Sequence, residues 1–469
     1  MAELIREEHH PDPGEWVREA LVKTRWKALS LALSGCLLPL SATANDSEEI
    51  AALEQRIVRL EAALAAVQAD SPQLETAKPA GVATAVGPAG PAAATAPRAV
   101  TLNMPNAAPG TQFFFSGFFK LDGLLSRSTD GELADGAIGR DLYVPGLTPV
   151  GGRDEGTDLD LHAKFSRLIF GTDSTLDDGR SVQTRFEGDF FGNGLGDERF
   201  NNAAGFVVRH AYVNFNNQWL IGQNWTTFMD ASTLPESTDL IGPTDGTVFV
   251  RQPQVRYTRG PLMFALENPE TTITPFGGGT RISSDDNTLP DLVVRFNHKT
   301  AAGSTLGIAT ILRELRLQTT GTGALDDREL GWGLSAFGKI ALGQDDLRFA
   351  VSGGRGLGRY MGLNLANDAV LDASGELAAV DGVFGYLGYR HLFNAKWRGN
   401  LFYARADIDN PAAGGGLQTR TSQSLHANLF YSPFPKWDVG SELIYARRDL
   451  ENGASGDLIR LHASVKYSF

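Results

Sequence analysis

The stretch at the carboxyl end, Ile459–Phe469, constrains the fold more than any other part of the chain. Ile459, Leu461, Ala463, Val465, Tyr467 and Phe469 alternate with Arg460, His462, Ser464, Lys466 and Ser468. Successive side chains of a strand point to opposite faces, so this is a strand with one apolar and one polar face. The same two-residue period recurs upstream. In one stretch Phe113, Phe115, Gly117, Phe119 and Leu121 stand against Ser116, Lys120 and Asp122. In a second, Val182, Thr184, Phe186, Gly188 and Phe190 stand against Gln183, Arg185, Glu187 and Asp189. In a third, Leu425, Ala427, Leu429 and Tyr431 stand against Ser424, His426 and Asn428. Strands that cross a bilayer need about 9–11 tilted residues, with apolar side chains toward lipid and polar ones toward a lumen. Every backbone group must be paired inside hydrocarbon, which requires the sheet to close.

Composition supports one large β domain. The chain of 469 residues has 53 Gly, 26 Phe and only 21% charged residues. Beyond the amino-terminal region no apolar run is long enough for a membrane helix. A formal charge of −13 argues against a nucleic-acid binder, which needs a basic face. Cys36 is the single cysteine, so no disulfide framework or thiolate metal site is available, and no zinc, EF-hand or phosphate-loop spacing calls for a metal or cofactor. Gly192-Asn193-Gly194-Leu195-Gly196 opens no helix and reads as a turn.

Strands are predicted to start near 112, 158, 182, 206, 219, 253, 262, 291, 304, 331, 346, 380, 396, 422, 436 and 457, a barrel of roughly sixteen strands, and an even count is expected of such barrels. Gly- and Asp-rich segments at 129–157, 230–252, 271–290, 314–329 and 356–379 are expected to be long outer loops. Asp177-Asp178-Gly179 and Asn216-Asn217 are expected to be tight turns at the other end. One long loop is expected to narrow the pore, with 129–157 a candidate. Segments 206–215 and 383–391 are apolar on both faces, which bulges or subunit contact would explain. Trp219, Trp225, Trp397, Trp437, Tyr445 and Tyr467 lie near strand ends, where interface aromatics belong.

The amino-terminal part reads differently. Lys23–Ala44 has the basic start, the apolar Ala28–Leu40 and the Ala42-Thr43-Ala44 cleavage site of an export signal. The acidic, His-containing residues before it are unusual there, so translation from a codon near Val22 is an expectation. Leu33-Ser34-Gly35-Cys36 resembles a lipidation site, but the apolar run continues past it. Ile50, Leu53, Ile57, Leu60, Leu64 and Val67 follow 3-4 spacing, the heptad seam of a coiled coil that would associate copies of the chain. Residues 71–111, rich in Ala and Pro, read as a linker.

This order of parts resembles the trimeric DcaP-like outer-membrane channels. The resemblance rests on Phe118-Phe119-Lys120-Leu121-Asp122, Ser166-Arg167-Leu168, Arg209-His210-Ala211-Tyr212-Val213, Gly222-Gln223-Asn224-Trp225-Thr226-Thr227-Phe228 and Gln254-Val255-Arg256-Tyr257. It implies a homotrimer in the Gram-negative outer membrane that passes small organic anions, dicarboxylates especially. A strand ending in Tyr467 and Phe469 resembles the signal read by the barrel-assembly machinery, and lipopolysaccharide is the expected outer-leaflet neighbour.

A channel selects by lining charge and width. Strand parity puts Lys120, Arg185, Arg256, Arg295, Lys339, Arg348, Arg398, Arg460 and Lys466 inside, with Asp122, Glu187, Asp189, Glu267, Asp291, Asp438 and Glu442. Lys120, Asp122, Arg185, Glu187, Arg256, Arg295, Arg348 and Arg398 are the expected pore-lining or solute-contacting set. Basic side chains there would favour anions, since arginine grips a carboxylate bidentately. The plainer alternative for each is a partner across the wall. A lipid hydrolase would need its Ser and His on the lipid side, whereas Ser424, His426 and His462 have inward parity. A structural or adhesive barrel held to the envelope by its coiled coil is the remaining alternative.

Overall fold

A computed structural model of the chain describes residues 110–154, 156–192 and 204–469. The export segment, the coiled-coil seam from Ile50 to Val67 and the linker almost to its end lie outside the described residues. No described helix is long and apolar enough to cross a membrane; the wall is made of strands.

In chain order these are β1 (Gln112–Ser128), β2 (Thr157–His162), β3 (Arg167–Thr175), β4 (Ser181–Gly192), β5 (Gly205–Phe215), β6 (Trp219–Trp225), β7 (Arg251–Arg259), β8 (Leu262–Glu267), β9 (Thr271–Thr274), β10 (Ile282–Ser284) and β11 (Asp291–Lys299). They continue as β12 (Thr305–Gln318), β13 (Asp326–Leu342), β14 (Asp345–Arg355), β15 (Ala369–Leu371), β16 (Leu377–Ala379), β17 (Asp381–Leu392), β18 (Trp397–Asp409), β19 (Thr419–Tyr431), β20 (Trp437–Leu450) and β21 (Ser455–Ser468). Seventeen of them form one antiparallel sheet that closes where β21 pairs with β1, from Phe118↔Ser468 to Ser128↔Leu458. β2 and β3 share the other edge of β1, one above the other. The wall therefore has sixteen staves, and each begins within a few residues of an expected start. Closure leaves no free edge for aggregation.

Alternation decides which face is which. Along β21, Ile459 and Leu461 are more than 40% exposed, while Arg460 and His462 are fully buried. A soluble barrel would bury the apolar set, so the apolar outer surface marks a wall built to stand in lipid.

The two segments with doubtful alternation have different explanations. In β5 a bulge sets Glu187 opposite His210 and Gly188 opposite Val208. Arg209 is the extra residue, and it is buried together with its neighbour His210. In β17 the alternation is regular: Val383 and Leu387 face out, Phe384 and Tyr386 face in. The inner apolar pair is needed because a loop packs on it. Phe384 and Tyr386 belong to one core with Phe228, Met229 and Val248 of segment 226–250.

Short turns gather at one end of the barrel. Asn216 and Asn217 both have φ of 53°, a conformation asparagine tolerates and the tight turn closed by the Gln218 N–H on the Phe215 carbonyl, at 3.0 Å, demands. At the same end Trp219 meets Tyr257, Trp397 meets Tyr431 and Trp437 meets Tyr467, with ring centroids 4.7, 4.5 and 5.1 Å apart. These half-exposed pairs form an aromatic band suited to an interface. Trp225 is not part of it; its ring packs on Phe249.

Long segments gather at the other end. The loop expected at 314–329 shrinks to 319–325, because β12 and β13 stay paired as far as Gln318↔Asp326. The extra length of β12 carries Leu315 and Leu317, which form a core with Ile273, Ala369, Leu377 and Ala379. Those residues lie in or beside a second, four-stranded sheet in the order β10, β9, β15, β16.

Candidate functional site within the barrel

Loop 226–250 follows the inner wall instead of standing above it, and the wall holds it with residues of inward parity. Arg295 on β11 donates to the Met229 carbonyl and the Asp230 carboxylate. Arg348 on β14 donates to the Leu234 carbonyl at 2.5 Å. Arg398 on β18 grips Glu236 at 2.6 and 2.8 Å and also reaches Asp438 at 2.9 Å. Glu442 on β20 accepts from Ser237 Oγ and the Thr238 N–H, both at 2.7 Å. Lys120 on β1 donates to the Thr238 carbonyl at 2.6 Å and pairs with Asp122, which lies 2.9 Å from His462. In order along the loop, successive partners come from successive sectors of the wall. A charge-assisted hydrogen bond is roughly twice as strong as a neutral one, so this contour is held at several strong points.

The candidate narrowing segment 129–157 also enters the interior. Its one-turn helix α1 (Ile138–Asp141) is followed by Tyr143, whose N–H donates to Asp239 at 2.8 Å and whose hydroxyl donates to Asp245 at 2.9 Å. The two loops brace each other, and Arg460 holds the first by donating to the Gly139 carbonyl at 2.5 Å.

Where the loops meet the wall, Ser424 Oγ lies 3.0 Å from His426 Nε2, and His426 Nδ1 lies 2.7 Å from Glu442. The residue types are those of a hydrolytic triad. The surroundings are not. Ser424 also donates its hydroxyl to Asp245 at 2.5 Å, and all three side chains are sealed from solvent. The set clamps the loops.

The sector β3–β7 is built differently. Arg167 bonds Glu187 at 3.0 Å and Asp189 at 3.4 Å; Arg209 bonds the same two carboxylates at 3.1 and 2.8 Å; Arg185 bonds Glu187 at 2.7 Å. Arg251 makes no ion pair among the described residues; its guanidinium lies 4.7 Å from the centre of the Trp225 ring and 5.2 Å from that of Phe249. Arg256 on β7 is partly buried, also without an ion pair among the described residues. A cavity of about 330 Å³ opens here, lined by Arg167, Arg185, Glu187, Arg209, His210, Tyr212, Asn224 and Trp225.

Of the eight residues expected to line a pore, the structure thus joins Arg185 and Glu187 in this cavity. It leaves Arg256 unpaired nearby and uses Lys120, Asp122, Arg295, Arg348 and Arg398 around loop 226–250. Arg167, Arg209 and Arg251 were not anticipated. Arg209 sits in the bulge, which breaks the parity on which the expectation relied. Arg167 and Arg209 nonetheless fall in the family-like stretches, a signal that pointed to them.

Residues 156–469 match the family described as DcaP outer membrane protein. A comparison with curated proteins found no match. Among solved structures, the outer membrane channel DcaP of Acinetobacter baumannii is 21% identical with a TM-score of 0.63, covering 77% of this chain and 99% of that one. An outer membrane protein of Vibrio cholerae, OmpT, is 12% identical with a TM-score of 0.45, covering 78% and 99%. A Salmonella typhi OmpF complex with daunomycin gives 11%, 0.44, and 77% and 98%. With two thirds of its length matched by the family and an apolar-coated closed barrel to account for, the chain belongs to the DcaP outer membrane proteins and resides in the Gram-negative outer membrane.

Proposed function

We propose that the barrel is a water-filled channel for passive diffusion of small polar solutes, with a preference for organic anions such as dicarboxylates. One observation carries this reading. Among the described residues the charged side chains that hydrogen-bond loop 226–250 come from β8, β11, β14, β18, β20 and β1, whereas the sector β3–β7 presents Arg167, Arg185, Arg209, Arg251 and Arg256 beside Glu187 and Asp189. An excess of fixed positive charge beside a low-dielectric wall raises the local concentration of anions. The Acinetobacter baumannii protein of similar fold is an outer membrane channel, in keeping with this reading.

The coiled-coil seam from Ile50 to Val67 would join three copies, and Tyr467 with Phe469 would direct insertion by the barrel-assembly machinery among lipopolysaccharide. The rival is a plugged structural barrel, since the loops fill much of the interior. Conductance separates the two. Purified protein in a planar bilayer under a potassium chloride gradient should conduct and reverse on the anion side, and liposomes should swell faster in succinate than in a neutral sugar of similar size. Absence of conductance would favour the plugged barrel.

A further inference from the structure

We infer that the arginine cavity on β3–β7 is a holding site for a doubly charged oxyanion, occupied during permeation and seated against both feet of loop 226–250. The inference rests on the channel reading above and goes further, from a general preference to one place where a solute stops.

Charge is the first argument. Arg167, Arg185, Arg209 and Arg251 surround Glu187 and Asp189, an excess of two positive charges in the cluster among the described residues. Arginine does not deprotonate, so the excess persists at any physiological pH. A buried charge left without a counter-charge is costly.

Unused donors are the second. Among the described residues Arg167 Nε and Arg251 Nη1 are buried donors with no hydrogen-bond partner, and His210 Nδ1 is a third buried polar atom without one. Buried polar groups are nearly always satisfied, and here three exceptions fall in one cluster. The two carboxylates are already shared among Arg167, Arg185 and Arg209. Stacking of Arg251 on Trp225 and Phe249 offsets part of its burial but supplies no acceptor. An oxyanion would supply charge and acceptors together.

Access and position come last. The Arg185 side chain is 37% exposed, so the cavity is open to solvent on its side. A volume of about 330 Å³ holds a small solute with its hydration. Trp225 immediately precedes loop 226–250 and Arg251 immediately follows it. The two residues pair across β6 and β7; Trp225 lines the cavity and Arg251 lies behind it, its guanidinium 4.7 Å from the centre of that ring, so an anion bound there sits beside the segments from which the loop leaves and to which it returns.

The test uses succinate on the purified full-length protein in a planar bilayer, reading chloride-current interruptions as succinate is raised on one side. A holding site predicts interruptions whose occupancy saturates. Arg251→Gln, which strands no carboxylate, should raise the half-saturating concentration about tenfold, the loss of one hydrogen bond to a charged group. Arg251→Lys should do so by less, and it keeps the test valid if the glutamine variant does not assemble. Arg405→Gln at the outward-facing rim, where Arg405 pairs with Asp407, should leave the value unchanged. Interruptions that rise linearly with succinate, or saturation indifferent to both Arg251 variants, would overturn the site. The reversal potential of the same preparation reports separately on the broader reading: anion preference without saturation sinks the holding site alone, whereas cation preference sinks the anion-channel proposal whatever the interruptions show.

Discussion

Nδ1 of His426 lies 2.7 Å from a carboxylate oxygen of Glu442, and neither side chain is exposed. The pair joins neighbouring strands β19 and β20, and the same carboxylate receives Ser237 and Thr238 from loop 226–250. Replacing Glu442 by Ala therefore removes the loop's partner on β20 and leaves Nδ1 of a buried histidine without its carboxylate. Breaking a buried pair costs on the order of 3–5 kcal/mol, far less than is needed to open a closed sheet. The expected outcome is a folded barrel with a mobile loop, seen as a larger and noisier unit conductance in planar bilayers. A unit conductance indistinguishable from the parent protein would contradict the role given to this clamp.

Charge in the open sector is expected to set ion preference. Arg185→Glu or Arg256→Glu should each move the reversal potential in a salt gradient toward that of a non-selective pore, while Arg405→Glu should not. The shift should shrink as ionic strength rises, because exposed charges are screened within about 10 Å at 0.1 M salt.

Closure of the wall depends on space at Gly117. Its N–H and carbonyl pair with Phe469 at 3.4 and 3.0 Å, and a Cβ there would lie 2.2 Å from the Arg167 carbonyl and 2.9 Å from the Phe469 ring. The Phe469 ring in turn sits 5.5 and 5.4 Å from those of Phe115 and Phe119. Gly117→Val should lower the yield of barrel that shifts mobility on heating, and Phe469→Ala should lower it through loss of the aromatic contacts. Normal yields of both would show that this seam closes without them.

The meeting point of the two loops should respond to pH. Burial pushes the Asp245 carboxyl above the usual carboxylate range, against the hydrogen bonds from Ser422, Ser424 and Tyr143 and the facing His426, which favour its ionised form. A carboxyl whose folded value is raised contributes most to stability in acid, and the contribution is lost as pH rises through that value. Loop-dependent current noise should therefore grow from acid toward neutral pH, and Asp245→Asn should flatten the dependence. Noise that grew instead on acidification would reverse the sign argued here.

Sixteen starts were legible in the sequence because each is a local event. Alternation of Leu425, Ala427 and Leu429 with Ser424, His426 and Asn428 needs no knowledge of distant residues, nor does the hairpin at Asn216-Asn217. Parity also told that Arg295, Arg348 and Arg398 point inward. What they touch was not legible: Met229, Leu234 and Glu236 are tens of residues or more away, on a loop whose path no periodicity marks. The inner apolar pair Phe384 and Tyr386 blurred the alternation of β17 for that reason. Arg209 escaped because one inserted residue in β5 shifts the register.

By itself the sequence determined that this chain alternates, turns and closes into a lipid-coated wall, since hydrogen-bond pairing in hydrocarbon admits few other solutions to such a pattern. Only the tertiary structure decided which inward charges hold a loop and which are left over, because that division depends on where loop 226–250 lies across the barrel. The guanidinium of Arg295 is taken up by carbonyl and carboxylate oxygens of that loop, whereas Arg251 meets only the Phe249 ring of the loop and gains no acceptor from it, although both are arginines on strands that border the same interior.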